Sequence, residues 1–219
     1  MFKRKFIILQ RIRRHVQMKL VVMTKSTFFV EEDKILASLF DEGLENLHLL
    51  KPASSPLYAE RLLTLLPESV HHFITVHEHF YLKNEFDLAG IHLDLPTLDA
   101  PSGYRGRVTR SCNQLDLLKA AKKNSKYVFL HNIFNSIEYP EEKSSFTLPL
   151  LESAAKKGMI DKHVYAMGGM TIDNIKIAKD LGFGGVVICG DLWNHFDIHQ
   201  QFDYKELIVH FGRLRKAIE

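Results

Sequence analysis

Two short apolar runs that each end in glycine constrain this chain most. Val164-Tyr-Ala-Met-Gly168-Gly169-Met-Thr is followed by Gly184-Gly-Val-Val-Ile-Cys189-Gly190-Asp191. Each reads as a strand that leaves through a tight turn into a helix. Glycine permits the turn and lets a ligand come close to backbone N–H groups. A helix N-terminus adds free N–H donors and a partial positive charge. Two such turns in consecutive units make a cradle for a phosphate group. Parallel barrels use that arrangement after their seventh and eighth strands. The number of units ahead of the pair therefore decides the fold.

Six units precede them. β-rich runs alternate with helical patterns, which is the signature of a parallel sheet. The expected strands are Lys19–Thr24, Asn46–Leu50, His72–Val76, Ala89–Leu93, Arg107–Arg110 and Lys126–Leu130, then His163–Met167 and Val186–Cys189. The expected helices are Glu31–Leu44, Leu57–Leu66, His79–Phe86, Gln114–Lys123 capped by Asn113, Leu148–Lys157, Ile172–Leu181 and Tyr204–Ile218. The segment Asp94–Gly106 holds Pro96, Pro101, Gly103 and Gly106 and reads as a loop. No composition break or linker interrupts the series. The fold class is α/β: one (β/α)8 TIM barrel over residues 18–219, in a single domain. A doubly wound open sheet is the alternative, but it places its glycine-rich loop after the first strand. Thr24-Lys-Ser-Thr-Phe-Phe has no glycine there.

The formal charge of +3 is uneven. Residues 1–19 carry seven basic side chains and no acid, so the other 200 residues are net −4. Nucleic-acid binders spread positive charge over a face of the fold, and this chain does not. Residues 1–17 read as a basic N-terminal extension or a start-site artefact, with a surface-docked helix as the competing reading. The apolar run Phe6-Ile-Ile-Leu9 is too short for a signal peptide. No run is long enough for a membrane span. Cys112 and Cys189 lie in different units and read as free thiols of a cytoplasmic protein.

The ordered motifs resemble those of the thiamine-phosphate synthase family and its thiazole tautomerase relatives of the TenI type. Ala-Met-Gly168-Gly169-Met-Thr is similar to the family's Ala-Ile-Gly-Gly-Ile/Met. Gly182-Phe-Gly-Gly-Val-Val-Ile-Cys-Gly190 stands where the family has Gly-Ala-Asp-Gly-Val-Ala-Val-Val-Ser, and Gly90-Ile-His92-Leu93 matches Gly-Val-His-Leu. Tyr127-Val…Ile133-Phe134 and Leu20-Val-Val-Met-Thr24 follow the sixth-strand and first-strand motifs. The resemblance implies a transferase of thiamine biosynthesis. Hydroxymethylpyrimidine diphosphate loses pyrophosphate, and the ring nitrogen of a thiazole phosphate traps the pyrimidine cation. It implies Mg2+ as cofactor and small phosphorylated molecules as partners, with no nucleic acid and no membrane. A homo-oligomer stays open.

Carried over by position, the phosphate of the thiazole falls on Gly168, Gly169, Cys189 and Gly190. Pyrophosphate falls on Lys51, Ser111 and Lys143, and Mg2+ on Glu78 with Asp94 or Asp99. His48, His77 and Ser136 line the substrate. The departures gather at the leaving-group end. Leu50 stands at the family's arginine, and Thr97 at its second metal aspartate. The lysine of the sixth-strand loop is missing unless Lys143 replaces it. The tautomerase alternative needs a general acid/base in that loop, for which His131 and Asn132 are the candidates. A non-catalytic binder of thiazole or thiamine phosphate is the third reading. His48, His77, His92 and His131 all fall near the ends of strands, where they read as proton shuttles, metal ligands or passive lining.

Overall fold

A computed structural model describes residues 17–197 and 203–219. The expected extension, apart from Gln17, lies outside the described residues. Eight strands pair in chain order, all parallel. They are β1 (Lys19–Met23), β2 (Leu47–Leu49), β3 (Ile74–Val76), β4 (Gly90–Leu93), β5 (Arg107–Cys112), β6 (Val128–Leu130), β7 (Val164–Ala166) and β8 (Gly185–Ile188). β8 returns to β1, with Lys19 opposite Gly185 and Val22 opposite Ile188. That closure makes the fold a (β/α)8 barrel and excludes the open sheet.

The outer ring comprises α1 (Glu32–Asp41), α2 (Pro56–Leu65), α3 (Glu68–His71), α4 (Leu82–Glu85), α5 (Leu118–Lys123), α6 (Leu148–Lys156), α7 (Ile175–Leu181), α8 (Gly190–Trp193) and α9 (Lys205–Ile218). In α1 the spacing of Ile35, Leu36, Leu39 and Phe40 puts all four on one buried face. Its chain turns off at Gly43, whose φ of 88° suits glycine. The third unit departs from expectation. Pro67 starts the short turn α3, and His72 caps it, so β3 begins at Ile74. α5 begins at Leu118 with Leu117 at its cap, so Asn113 does not cap it. Gln114–Leu117 lies outside regular helix.

The barrel holds two cores. The larger lies between sheet and helices. The smaller fills the interior with Val21, Met23, Tyr127, Phe129, Tyr165 and Val187. Side chains alternate across a strand, so the same period turns His48, Thr75, His92 and Thr109 into the interior, and all four are buried. Trp193 closes the seam. It is buried, its Nε1–H donates to the Met23 carbonyl at 2.7 Å, and Phe29 meets it edge-on at 5.8 Å. No helix among the described residues is long and apolar enough to cross a membrane.

Candidate active site

The glycine turns stand where the eightfold count puts them, beyond the C-terminal ends of β7 and β8. Gly168 and Gly169 have φ of 91° and 62°. Asn174 holds the turn by accepting the Thr171 N–H and donating to the Gly169 carbonyl, both at 2.9 Å. Cys189 leads into α8, where the Gly190 and Asp191 N–H groups have no intrahelical acceptor. The turns share a cavity of about 130 Å³ with Thr24, Leu50, Asn132, Ser136 and Glu138. A larger cavity, about 410 Å³, opens among Lys19, Asn46, Arg107 and Arg215. It lies at the N-terminal mouth. Chemistry on this fold belongs to the other end, so the smaller cavity is the candidate site.

The loop after β6 covers the cradle. A Cβ on Gly169 would lie 2.2 Å from the Asn135 carbonyl oxygen, and one on Gly190 would lie 2.9 Å from Cγ of Glu138. Asn132 and Ser136 come from this loop and line the cavity, whereas His131 does not. Burial lowers the His131 pKa. The Cys189 thiol is pushed well up, first by burial and then by Glu138, so it stays protonated. Lys143 turns away, donating to the Pro140 carbonyl at 2.7 Å from an exposed position.

Lys51 departs most from expectation. The residue is buried (1 % exposed), and Nζ donates to Glu32 Oε1 at 2.6 Å and to the Thr27 carbonyl at 2.9 Å. Phe28 covers it at 4.5 Å. The ammonium holds the β1 loop onto the end of β2 and does not face the cavity. Nothing in the sequence pairs Lys51 with Glu32, which comes from the first turn of α1. Lys25 is the neighbouring cation that sequence reading missed. Its charge is felt at both Cys189 and Lys51.

Glu78 and Asp94 follow adjacent strands, β3 and β4. Glu78 accepts the Lys51 backbone N–H through Oε2 (3.2 Å), and Asp94 accepts His77 Nδ1–H through Oδ1 (3.1 Å). Each keeps a second oxygen. Mg2+ takes one or two carboxylates and completes its shell with water and phosphate oxygens, so these donors fit it in kind. Thr97 is exposed in the following loop and adds no carboxylate.

Behind this rim a polar column crosses the barrel interior. Asp94 accepts at one end, and a chain of imidazoles with one N–H each then runs in a single direction. His77 Nδ1–H donates to it, so His77 Nε2 accepts from His48 Nδ1–H at 2.9 Å. His48 Nε2 then accepts the Tyr127 hydroxyl (2.8 Å), whose oxygen accepts from Asn46 Nδ2–H (2.9 Å). His92 lies beside the column. Thr109 gives its proton to the Ile91 carbonyl and accepts from His92 Nδ1–H, so His92 Nε2 accepts from Ser111 Oγ–H at 2.8 Å. Burial, and then neighbouring histidines, push the His48 and His92 pKa well down. His48 and Ser111 are therefore committed inside the barrel, not at the cavity wall.

No family model and no curated protein matches the chain. Solved structures do. The crystal structure of thiamine phosphate pyrophosphorylase from Bacteroides thetaiotaomicron is 47% identical, with a TM-score of 0.83 over 91% of this chain and 97% of that one. Thiamine phosphate pyrophosphorylase from Pyrococcus furiosus is 16% identical, with a TM-score of 0.71 over 93% and 96%. Tryptophan synthase subunit alpha from Legionella pneumophila, 13% identical with a TM-score of 0.62 over 99% and 97%, shares the fold alone. The identity to the Bacteroides protein along nearly the whole of both chains is family-level, and this chain belongs to the thiamine phosphate pyrophosphorylase family.

Proposed function

We propose that the protein is a thiamine-phosphate synthase. It joins hydroxymethylpyrimidine diphosphate to thiazole phosphate, breaking the carbon–oxygen bond to pyrophosphate and forming a carbon–nitrogen bond. The glycine cradle carries this reading, because its open N–H groups suit the phosphate of the thiazole. An anchored phosphate holds the ring nitrogen in line with the cation it attacks. Glu78 and Asp94 would hold Mg2+, which when bound supplies positive charge to the departing pyrophosphate. Lys25 is the rim cation placed to assist, since Lys51 is committed to Glu32. Two free thiols and charged, phosphorylated substrates suit a cytoplasmic enzyme. The tautomerase reading loses its acid/base, because the residue at the cavity is Asn132, which does not titrate.

With both half-molecules and Mg2+, purified protein is expected to form thiamine phosphate and pyrophosphate, and EDTA should stop it. Calorimetric binding of thiazole phosphate without product would sink the synthase and leave a binder. A second expectation isolates the cradle. Gly169→Ala adds a Cβ 2.2 Å from a backbone oxygen at positive φ, so the loop after β6 must shift. KM for thiazole phosphate should rise about tenfold or more, equivalent to roughly 1.4 kcal/mol. Gly158→Ala, at φ 72° with nothing within 4 Å of its Cβ, carries the same backbone strain away from the site and should leave KM unchanged.

A further inference from the structure

The three buried histidines of the interior column meet a requirement that the coupling reaction does not set. One ring nitrogen from each of His48, His77 and His92 lies within 4.8 Å of the others. Their ring centroids are 5.2, 5.2 and 4.2 Å apart. Imidazoles that share one tetrahedral ion, with metal–nitrogen bonds of about 2.0–2.1 Å, have centroids roughly 5 Å apart and nitrogens roughly 3.4 Å apart. The two pairs that include His48 match that spacing, with the rings at 73° and 75° to each other. His77 and His92, stacked at 4.2 Å and 20°, must swing apart by about 1 Å to point at one ion.

The outer nitrogens match as well. A histidine ligand normally donates its other N–H to a fixed acceptor, which sets its tautomer. His77 Nδ1–H has Asp94, and His92 Nδ1–H has Thr109. His77 Nε2 and His92 Nε2 are therefore unprotonated. His48 needs one change, a shift of its proton from Nδ1 to Nε2. The Tyr127 oxygen at 2.8 Å then accepts it, and Tyr127 turns its own hydroxyl to Asn46 Oδ1 at 3.2 Å. Ser111 must also turn its hydroxyl proton away from His92 Nε2, which it meets at 2.8 Å; all three inner nitrogens then present lone pairs. Asp94, whose side chain is 61% exposed, joins the cluster to the rim and gives an ion its path in.

We propose that His48, His77 and His92 bind one borderline divalent transition-metal ion, Zn2+ first among them, inside the barrel. Neutral imidazoles suit Zn2+, Co2+ or Ni2+, and not Mg2+. The site takes a different ion from any Mg2+ at Glu78 and touches that site only through Asp94, and it stands whether or not the synthase reading does.

The test uses the full-length chain, stripped with chelator and titrated with Co2+ as a coloured stand-in for zinc. One Co2+ per chain is expected, with the visible ligand-field bands of low coordination, displaced by Zn2+ and not by Mg2+. His48→Gln and His92→Gln should each weaken binding at least 100-fold, and Asp94→Asn about 10–100-fold. His210→Gln should leave it unchanged. That variant controls for the separate group of His210, Asp191 and His195. If the buried variants do not fold, X-ray absorption on the zinc-loaded wild type decides, with about three imidazole nitrogens at ~2.0–2.1 Å expected. Failure of the wild type to take up Co2+ at micromolar concentration would overturn the proposal. So would binding abolished by His210→Gln, or an absorption spectrum dominated by oxygen ligands.

Discussion

Leu50→Arg is expected to raise kcat/KM for thiamine phosphate formation by about 10–100-fold. One charge-assisted hydrogen bond to the departing pyrophosphate is worth about 1.5–3 kcal/mol, and each 1.36 kcal/mol is roughly a factor of ten in rate. The position is ready for it. Leu50 lines the cavity, and Thr24 Oγ1 pins its backbone, donating to its carbonyl at 3.0 Å and accepting its N–H at 3.1 Å. Only the side chain changes. A planar guanidinium matches two phosphate oxygens at once, which an ammonium does not. Steady-state kinetics should therefore rank arginine above lysine, and lysine above methionine, at this position. Equal rates for all three would move the leaving group away from β2.

Lys51→Met should cost about 3–5 kcal/mol of stability, because it leaves Glu32 as a buried charge without its partner. Both side chains are 2 % exposed, and Glu32 Oε2 already has no hydrogen-bond partner. For a chain of this size the loss should lower Tm by about 10 °C. The double variant Lys51→Met, Glu32→Gln should recover most of it. The sign of the pH effect is fixed. Burial raises the Glu32 pKa, and Lys51 opposes that rise; removing Lys51 raises it further. A group with a raised folded-state pKa loses stability as pH climbs through that pKa. The deficit of the single variant should thus shrink as pH falls toward the ordinary carboxylate range and be largest at neutral pH. A deficit independent of pH would mean that Lys51 contributes packing alone.

The repeat of apolar runs made the barrel legible, since closure needs only that each strand be short, apolar and followed by something that packs outside it. The glycine cradle was legible for a related reason: few residues besides glycine tolerate those φ values. Strand ends near β3 were not, because a single proline at 67 bought one extra helical turn from residues that also read as strand. The site blurred wherever partners come from distant units. Lys51 looks like a rim cation until α1 delivers Glu32 to it. His48, His77 and His92 look like mouth residues until the strand period is followed inward, where Tyr127 sits at the matching depth. His131 and Asn132 illustrate a limit of another kind. They differ by one position on the same loop, and only the path of that loop decides which of them faces the cavity.

The bond from Trp193 to the Met23 carbonyl has a practical side. This is the chain's single tryptophan, and it is buried on the seam between the first and last strands. Its emission is an intrinsic optical gauge of whether the ring is shut, read without any label. Phe29 touches the indole on one side and lies 6.0 Å from the Lys51 ammonium on the other. The same gauge therefore registers disturbance at the end of β2, so a local opening there and a parting of the seam share one signal.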